Sequence, residues 1–335
     1  YNLIHRPTET DETQAYLGAN KHIECEDCHN PHAAKAGIHT PGGLLADGSD
    51  GNLAANSGPL TGARGFVPTY TPGAPPWTPP TGYTSISPVQ KEHQVCFRCH
   101  TGANPGLASW DPEWTNLALE FSPNNRSAHP VQYALGDAAR TNATNPKQLT
   151  AAQMKAPWNT KNLSTVTMFC SDCHGSDQDF ASGAATTVAR GPHASAATFI
   201  KKGPGIYWPT KADGTTLYSL NDSVAGLSGL FCTNCHPVRD SGGYKNNAHT
   251  EMNDRNPNIA CTGCHVLVPH GSKMSRLIGS RNNMPARYAY QNNPANNLVT
   301  AFSKASGPNN YSENNCANSC SGGKHPTTAG TRETW

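Results

Sequence analysis

Residues 260–271 read Ala-Cys-Thr-Gly-Cys-His-Val-Leu-Val-Pro-His-Gly, two cysteines and two histidines in twelve positions. The core of this stretch, Cys-x-x-Cys-His, occurs five times: Cys25, Cys28 and His29; Cys96, Cys99 and His100; Cys170, Cys173 and His174; Cys232, Cys235 and His236; Cys261, Cys264 and His265. A zinc half-site or a thioredoxin-like dithiol asks only for the cysteine pair, so the following residue decides the reading. With 15 histidines in 335 residues, five pairs each followed by His would arise by chance on the order of once in five million trials. The imidazole is therefore part of the chemistry.

The chemistry that needs all three residues is covalent attachment of haem c. Two thiols three positions apart can each add to one vinyl group of a porphyrin edge, and the turn between them brings the next imidazole under the ring, to the iron. Zinc is the poorer reading because ten motif cysteines do not divide into four-thiolate sites. A redox array lacks any strand-to-helix unit around the motifs. The expectation is five covalently attached haem c groups.

Composition agrees with a chain that wraps cofactors. Charged residues make up 14% and apolar residues 36%, with 31 glycines and 27 prolines, against roughly 25% charged and 45–50% apolar in ordinary domains. Such a chain has difficulty offsetting its conformational entropy by its own burial. The predicted fold is mostly coil with few short helices and minimal β, a multihaem cytochrome c fold around a stacked haem chain. Residues 1–335 are read as one pentahaem unit without separable domains.

The last two motifs stand close together and the other intervals are more than twice as long, so a binding word repeats and not a folding unit. Residues 59–82 hold seven prolines; the first reading is a Pro-rich connector, the sharper one an ordered polyproline segment pressed on a haem or a partner. Residues 282–315 hold ten asparagines and predict turns and loops. Short helices are expected within 87–100, with Pro88 near the start, within 145–156 and within 194–202; 165–169 is an isolated strand candidate.

Ten further histidines can close the five irons from the other side. His32, His129, His193, His249 and His270 rank first as distal ligands. In Asn30-Pro31-His32 the rigid proline turns the imidazole away from the motif it follows and toward a neighbour. His270 and His193 follow proline, and Gly271 after His270 permits close backbone approach. His129 and His325 precede proline, which holds their backbone extended, and His249 lies between the fourth and fifth motifs. His22 and His325 are the alternates, His93 could as well lie on a solvated helix face, and His5 and His39 are reserves. The five methionines have no distinctive setting, so bis-histidine iron is expected throughout. Cys316 and Cys320, spaced differently and followed by Ser321, are expected to form a local disulfide; the alternative is an irregular sixth haem.

Net charge is +2 with no basic run, which gives no indication of nucleic acid or an anionic membrane surface, and no apolar stretch reaches the roughly 20 residues of a transmembrane segment. The chain begins with Tyr1, as expected of an exported chain whose signal has been removed. The expected location is extracellular or the cell surface, with the periplasm as alternative.

The five attachment words, the phrases at 25–32 and 261–272, the haem density and the loop-rich composition resemble the extracellular multihaem c-type cytochromes that polymerise into filaments, or nanowires. That resemblance implies haems stacked in alternating parallel and perpendicular pairs, and an imidazole just after the first motif, matching His32, that ligates a haem of the adjacent copy. Partners are then copies of the chain itself, redox proteins and extracellular electron acceptors. The function expected is electron transfer through bis-histidine haems along a conductive filament, without enzyme activity and without catalytic residues. The alternatives are a monomeric periplasmic shuttle and a multihaem reductase with one open iron.

Overall fold

A computed structural model describes residues 25–35, 58–103, 114–140, 149–175, 192, 197–238, 259–304, 331–333 and 335. Within them regular structure is scarce. Three helices of one turn occur, α1 (Cys25–Cys28), α2 (Glu92–Cys96) and α3 (Leu117–Glu120), with short 3-10 turns between long irregular stretches. Three two-stranded antiparallel pairs complete the regular elements: β1 (Gly65–Thr69) with β2 (Gly82–Ile86), β3 (Ser127–Ala128) with β4 (Gly271–Ser272), and β5 (Phe302–Lys304) with β6 (Thr331–Glu333). The chain is thus mostly coil with short helices and little sheet, as its glycine and proline content dictates. No described helix is long and apolar enough to cross a membrane.

The Pro-rich stretch differs from the connector expectation. Phe66, Val67, Tyr83 and Thr84 supply β-formers on either side of the prolines, and β1 pairs β2 from Gly65 opposite Ile86 to Thr69 opposite Gly82. The loop between the strands is stapled to the body. The Tyr70 hydroxyl donates to the Ala118 carbonyl at 2.6 Å and accompanies Gln132 Oε1 at 2.9 Å, and the Trp77 amide donates to Asn125 Oδ1 at 2.8 Å. The Trp77 ring meets Tyr288 edge-on at 5.2 Å and Trp335 at 4.9 Å. Aromatic residues between the prolines therefore anchor the segment.

α2 begins at Glu92, later than Pro88 suggests, because the Val89 amide donates to the Ala63 carbonyl at 2.9 Å and the Val89 side chain is wholly buried. Gln94 Oε1 then accepts from the Lys91 amide at 3.0 Å, the return half of a capping box. Asn116 caps α3 by accepting from the Ala118 and Leu119 amides. Residues 166–169 are buried, with the Met168 amide on the Pro130 carbonyl, and Thr165 is exposed in a turn; they form no strand. Within 145–156 and 194–202 the described parts form single turns at Ala151–Gln153 and Thr198–Ile200. The Asn-rich segment makes successive turns at Ala286–Tyr288, Tyr290–Asn292 and Pro294–Asn296; its residues beyond 304 lie outside the described residues.

Buried apolar side chains gather in separate small clusters. One joins Phe97, Phe121, Val131, Trp158, Val166 and Met168, with Cys170, Cys173 and Cys235 at its edge. Another joins Ile259, Val266, Met274, Met284, Tyr288 and Val299, with Cys264 and Trp77 at its edge. Phe97, between the cysteines of the second motif, has no exposure. Phe97→Ala is expected to cost about 3–5 kcal/mol, read as a lower denaturant midpoint of the cofactor-loaded protein at unchanged slope.

Candidate functional site

All five cysteine motifs fold into the same turn. The amide of each motif histidine donates to the carbonyl of the first cysteine: His29 to Cys25 at 2.8 Å, His100 to Cys96 at 3.0 Å, His174 to Cys170 at 2.9 Å, His236 to Cys232 at 3.0 Å and His265 to Cys261 at 2.9 Å. Residues three and four apart on a helical turn share a face, so each turn presents two sulfurs and an imidazole together. None of the ten motif cysteines is joined in a disulfide. Burial pushes Cys28, Cys99, Cys232 and Cys235 up to about 11 and Cys261 to about 12, and raises Cys173 further. A lowered pKa activates a redox dithiol, and burial acts on these thiols in the opposite direction.

The turns follow one another in space in chain order. Arg98 in the second motif lies 3.6 Å from Asp27 in the first. The amide and hydroxyl of Ser171 in the third donate to Glu92, at the head of α2, at 2.8 and 2.6 Å. Cys170 and Cys173 of the third motif border the same apolar cluster as Cys235 of the fourth, and Cys232 of the fourth borders the same cluster as Cys261 of the fifth. Each motif thus neighbours the next.

The β3–β4 pair brings two histidines far apart in sequence side by side. Ala128 lies opposite Gly271, and the His129 amide donates to the His270 carbonyl at 2.9 Å. From that ladder each imidazole faces one motif histidine. The rings of His129 and His236 have centroids 6.4 Å apart with planes at 38°, and those of His174 and His270 have centroids 5.9 Å apart at 65°. Two metal–imidazole bonds of about 2.0–2.1 Å in line place ring centroids about 6 Å apart. The centroid spacings of His236 with His129 and of His174 with His270 are compatible with such a pair of ligands.

Hydrogen bonds to the other ring nitrogens prepare these imidazoles as ligands. His129 Nδ1 donates to the Pro269 carbonyl at 2.6 Å, His174 Nδ1 to Phe199 at 2.8 Å, His236 Nδ1 to Gln153 at 3.1 Å and His29 Nδ1 to Pro59 at 2.9 Å. A hydrogen on Nδ1 assigns the tautomer whose Nε2 is left to ligate. Desolvation, followed by the charge of the facing imidazole, holds His129 and His174 down at about 4, and desolvation lowers His236. Neutral imidazole, the ligating form, is thereby favoured. Among the described residues no group of three or more His, Cys, Asp or Glu side chains gathers as a metal-ion site; an axial pair needs only two, the porphyrin supplying the other donors.

Of the other histidines, His32 is exposed, with its backbone amide on its own Asn30 Oδ1 at 3.0 Å. His93 is buried against Phe97 at 5.0 Å between ring centroids, in place of a solvated helix face. His193, His249, His22, His325, His5 and His39 lie outside the described residues, as do Cys316 and Cys320. Two site residues escaped the sequence reading. Glu120, at the end of α3, accepts from His270 Nδ1 at 2.6 Å on Oε2 and from the Tyr288 hydroxyl at 2.7 Å on Oε1. Neither residue stands in a recognisable phrase.

Gly271 is needed where the chain crosses Glu120, because an added Cβ would collide with the Glu120 carbonyl oxygen. Gly271→Ala is expected to cost about 1–3 kcal/mol by overpacking and to displace His270, seen as a lower melting temperature with one newly high-spin iron. Gly82→Ala, whose methyl would meet open space, is the silent control. No family model, no curated protein and no solved structure matches this chain.

Proposed function

We propose that the chain is an exported five-haem c-type cytochrome that transfers electrons, and that copies assemble end to end into an extracellular filament delivering them to external acceptors. The observation that carries the reading is the facing of motif histidines His174 and His236 by His270 and His129, about 6 Å apart between centroids, over turns that each present two thiols. Bound haem supplies a one-electron iron couple. The ten motif cysteines tether the macrocycles so that none leaves during redox cycling. The motif histidines would ligate one face of each haem, and at the third and fourth motifs His270 and His129 would fill the other, which would deny a substrate the open position a reductase requires at those two irons. The succession of motifs in chain order gives the electrons a path.

The filament rests on the resemblance of the motif phrases, on the exposure of His32, which leaves its imidazole accessible to a neighbouring copy, and on a net charge of only +2, which weakens repulsion between copies. Intact mass with five added haems and a ferric spectrum that is low-spin throughout are expected. A chain lacking that mass, or a substantial high-spin fraction, would overturn the electron-carrier reading. Electron microscopy of native material tests the assembly separately: filaments support it, and discrete particles at all concentrations leave a monomeric shuttle.

A further inference from the structure

Among the five imidazoles whose Nδ1 partner is named above, four donate to backbone carbonyls and one does not. His29, His129, His174 and His236 meet neutral oxygens. His270 meets Glu120, a side chain with no exposure. Burying a carboxylate is costly unless donors satisfy it, and here both oxygens are engaged, Oε2 by His270 and Oε1 by the Tyr288 hydroxyl. Tyr288 is itself held in place by Trp77 and Trp335. Burial, then the charge of Glu120, raises its phenol well above the ordinary range, so that it stays a donor.

We propose that Glu120 is a positioning residue that lowers the redox potential of the iron held between His174 and His270, with Tyr288 setting how strongly it acts; the inference rests on the five-haem reading above. A hydrogen bond from Nδ1 to a carboxylate is stronger than one to a carbonyl and makes the imidazole a better electron donor to its metal. Better donation favours the more highly charged ferric state. The step at this position moves one electron and no proton: His270 keeps its Nδ1 hydrogen and both axial bonds persist. Tyr288 competes for the same carboxylate, so its hydroxyl weakens the pull on His270.

The test is a spectroelectrochemical titration of the haem-loaded protein and two near-isosteric variants, with EPR confirming that all iron stays low-spin. Glu120→Gln keeps the shape and removes the charge. One of the five one-electron components is expected to rise by the equivalent of about tenfold, the lower end of what an outer hydrogen bond is worth at a metal site, which is 59 mV for a one-electron couple. Tyr288→Phe is expected to move the same component the other way, to lower potential, because Glu120 then has His270 as its one side-chain donor. Opposite signs from two residues that touch each other would not come from a merely structural role. Unmoved components in both variants, or shifts of the same sign, overturn the inference while leaving five low-spin haems, and with them the electron-carrier reading, intact. Wild-type protein without five haems would instead overturn that reading first.

Discussion

Replacing His129 with alanine is expected to convert one of the five proposed irons from low-spin to high-spin and to open it to cyanide or carbon monoxide, which the unaltered protein is expected not to bind. The imidazole of His129 is fixed twice, by its Nδ1 on the Pro269 carbonyl at 2.6 Å and by its backbone amide on the His270 carbonyl. Its ring stands 6.4 Å from that of His236, the separation of two ligands sharing a metal. Truncation to a methyl removes the donor without unseating the fourth motif, whose turn is closed by its own His236 amide. EPR of the oxidised protein and a ligand-binding titration check the outcome, with one equivalent bound per chain. A spectrum that remains wholly low-spin would mean that another residue holds that position. Because the fourth motif lies between the third and the fifth, electron passage along the whole chain should slow in the same variant.

Chain exported without its cofactors, or with all ten motif cysteines changed to serine, is expected to lack a cooperative thermal transition. The loss amounts to the entire stability of an ordinary domain, about 5–15 kcal/mol. Among the described residues every buried apolar cluster ends on motif sulfur: Cys28 borders the one containing Val89 and Val95, Cys170, Cys173 and Cys235 the one containing Phe97, Cys232 and Cys261 the one containing Leu230, and Cys264 the one containing Met274. Without a macrocycle between them these clusters are small and disconnected, and entropy wins. Ligation and folding are then one equilibrium, as in small metal-bound domains. Far-UV circular dichroism during heating is the measurement, and a native-like sigmoidal melt of the cofactor-free chain would refute the expectation.

What could be read from the sequence was what covalent chemistry writes in fixed spacing. The five turns, the scarcity of helix and strand, and the need for glycine after His270 all follow from residues a few positions apart. The proline that precedes His32 and is expected to turn it away from the motif it follows has a counterpart at His270: Pro269 precedes an imidazole that faces the third motif and not the adjacent fifth. That cross-chain partnership was not legible, because β3 and β4 are two residues each, too short for any periodicity. The hairpin over 65–86 was hidden by its prolines, since the contacts that order it come from Asn125, Ala118 and Tyr288, far away in sequence. Glu120 carried no signal at all. A lone acid in an otherwise apolar turn gains meaning only from the two donors the fold delivers to it.

The ladder joining residues 127–128 to 271–272 has a mechanical consequence. His129 and His270 belong to different centres but share a backbone hydrogen bond, so the crossbar they form sets the gap between those centres much as a rung holds two rails. Stretching or bending the molecule would have to break main-chain bonds here before this gap could widen, making it a stiff link between the two sites.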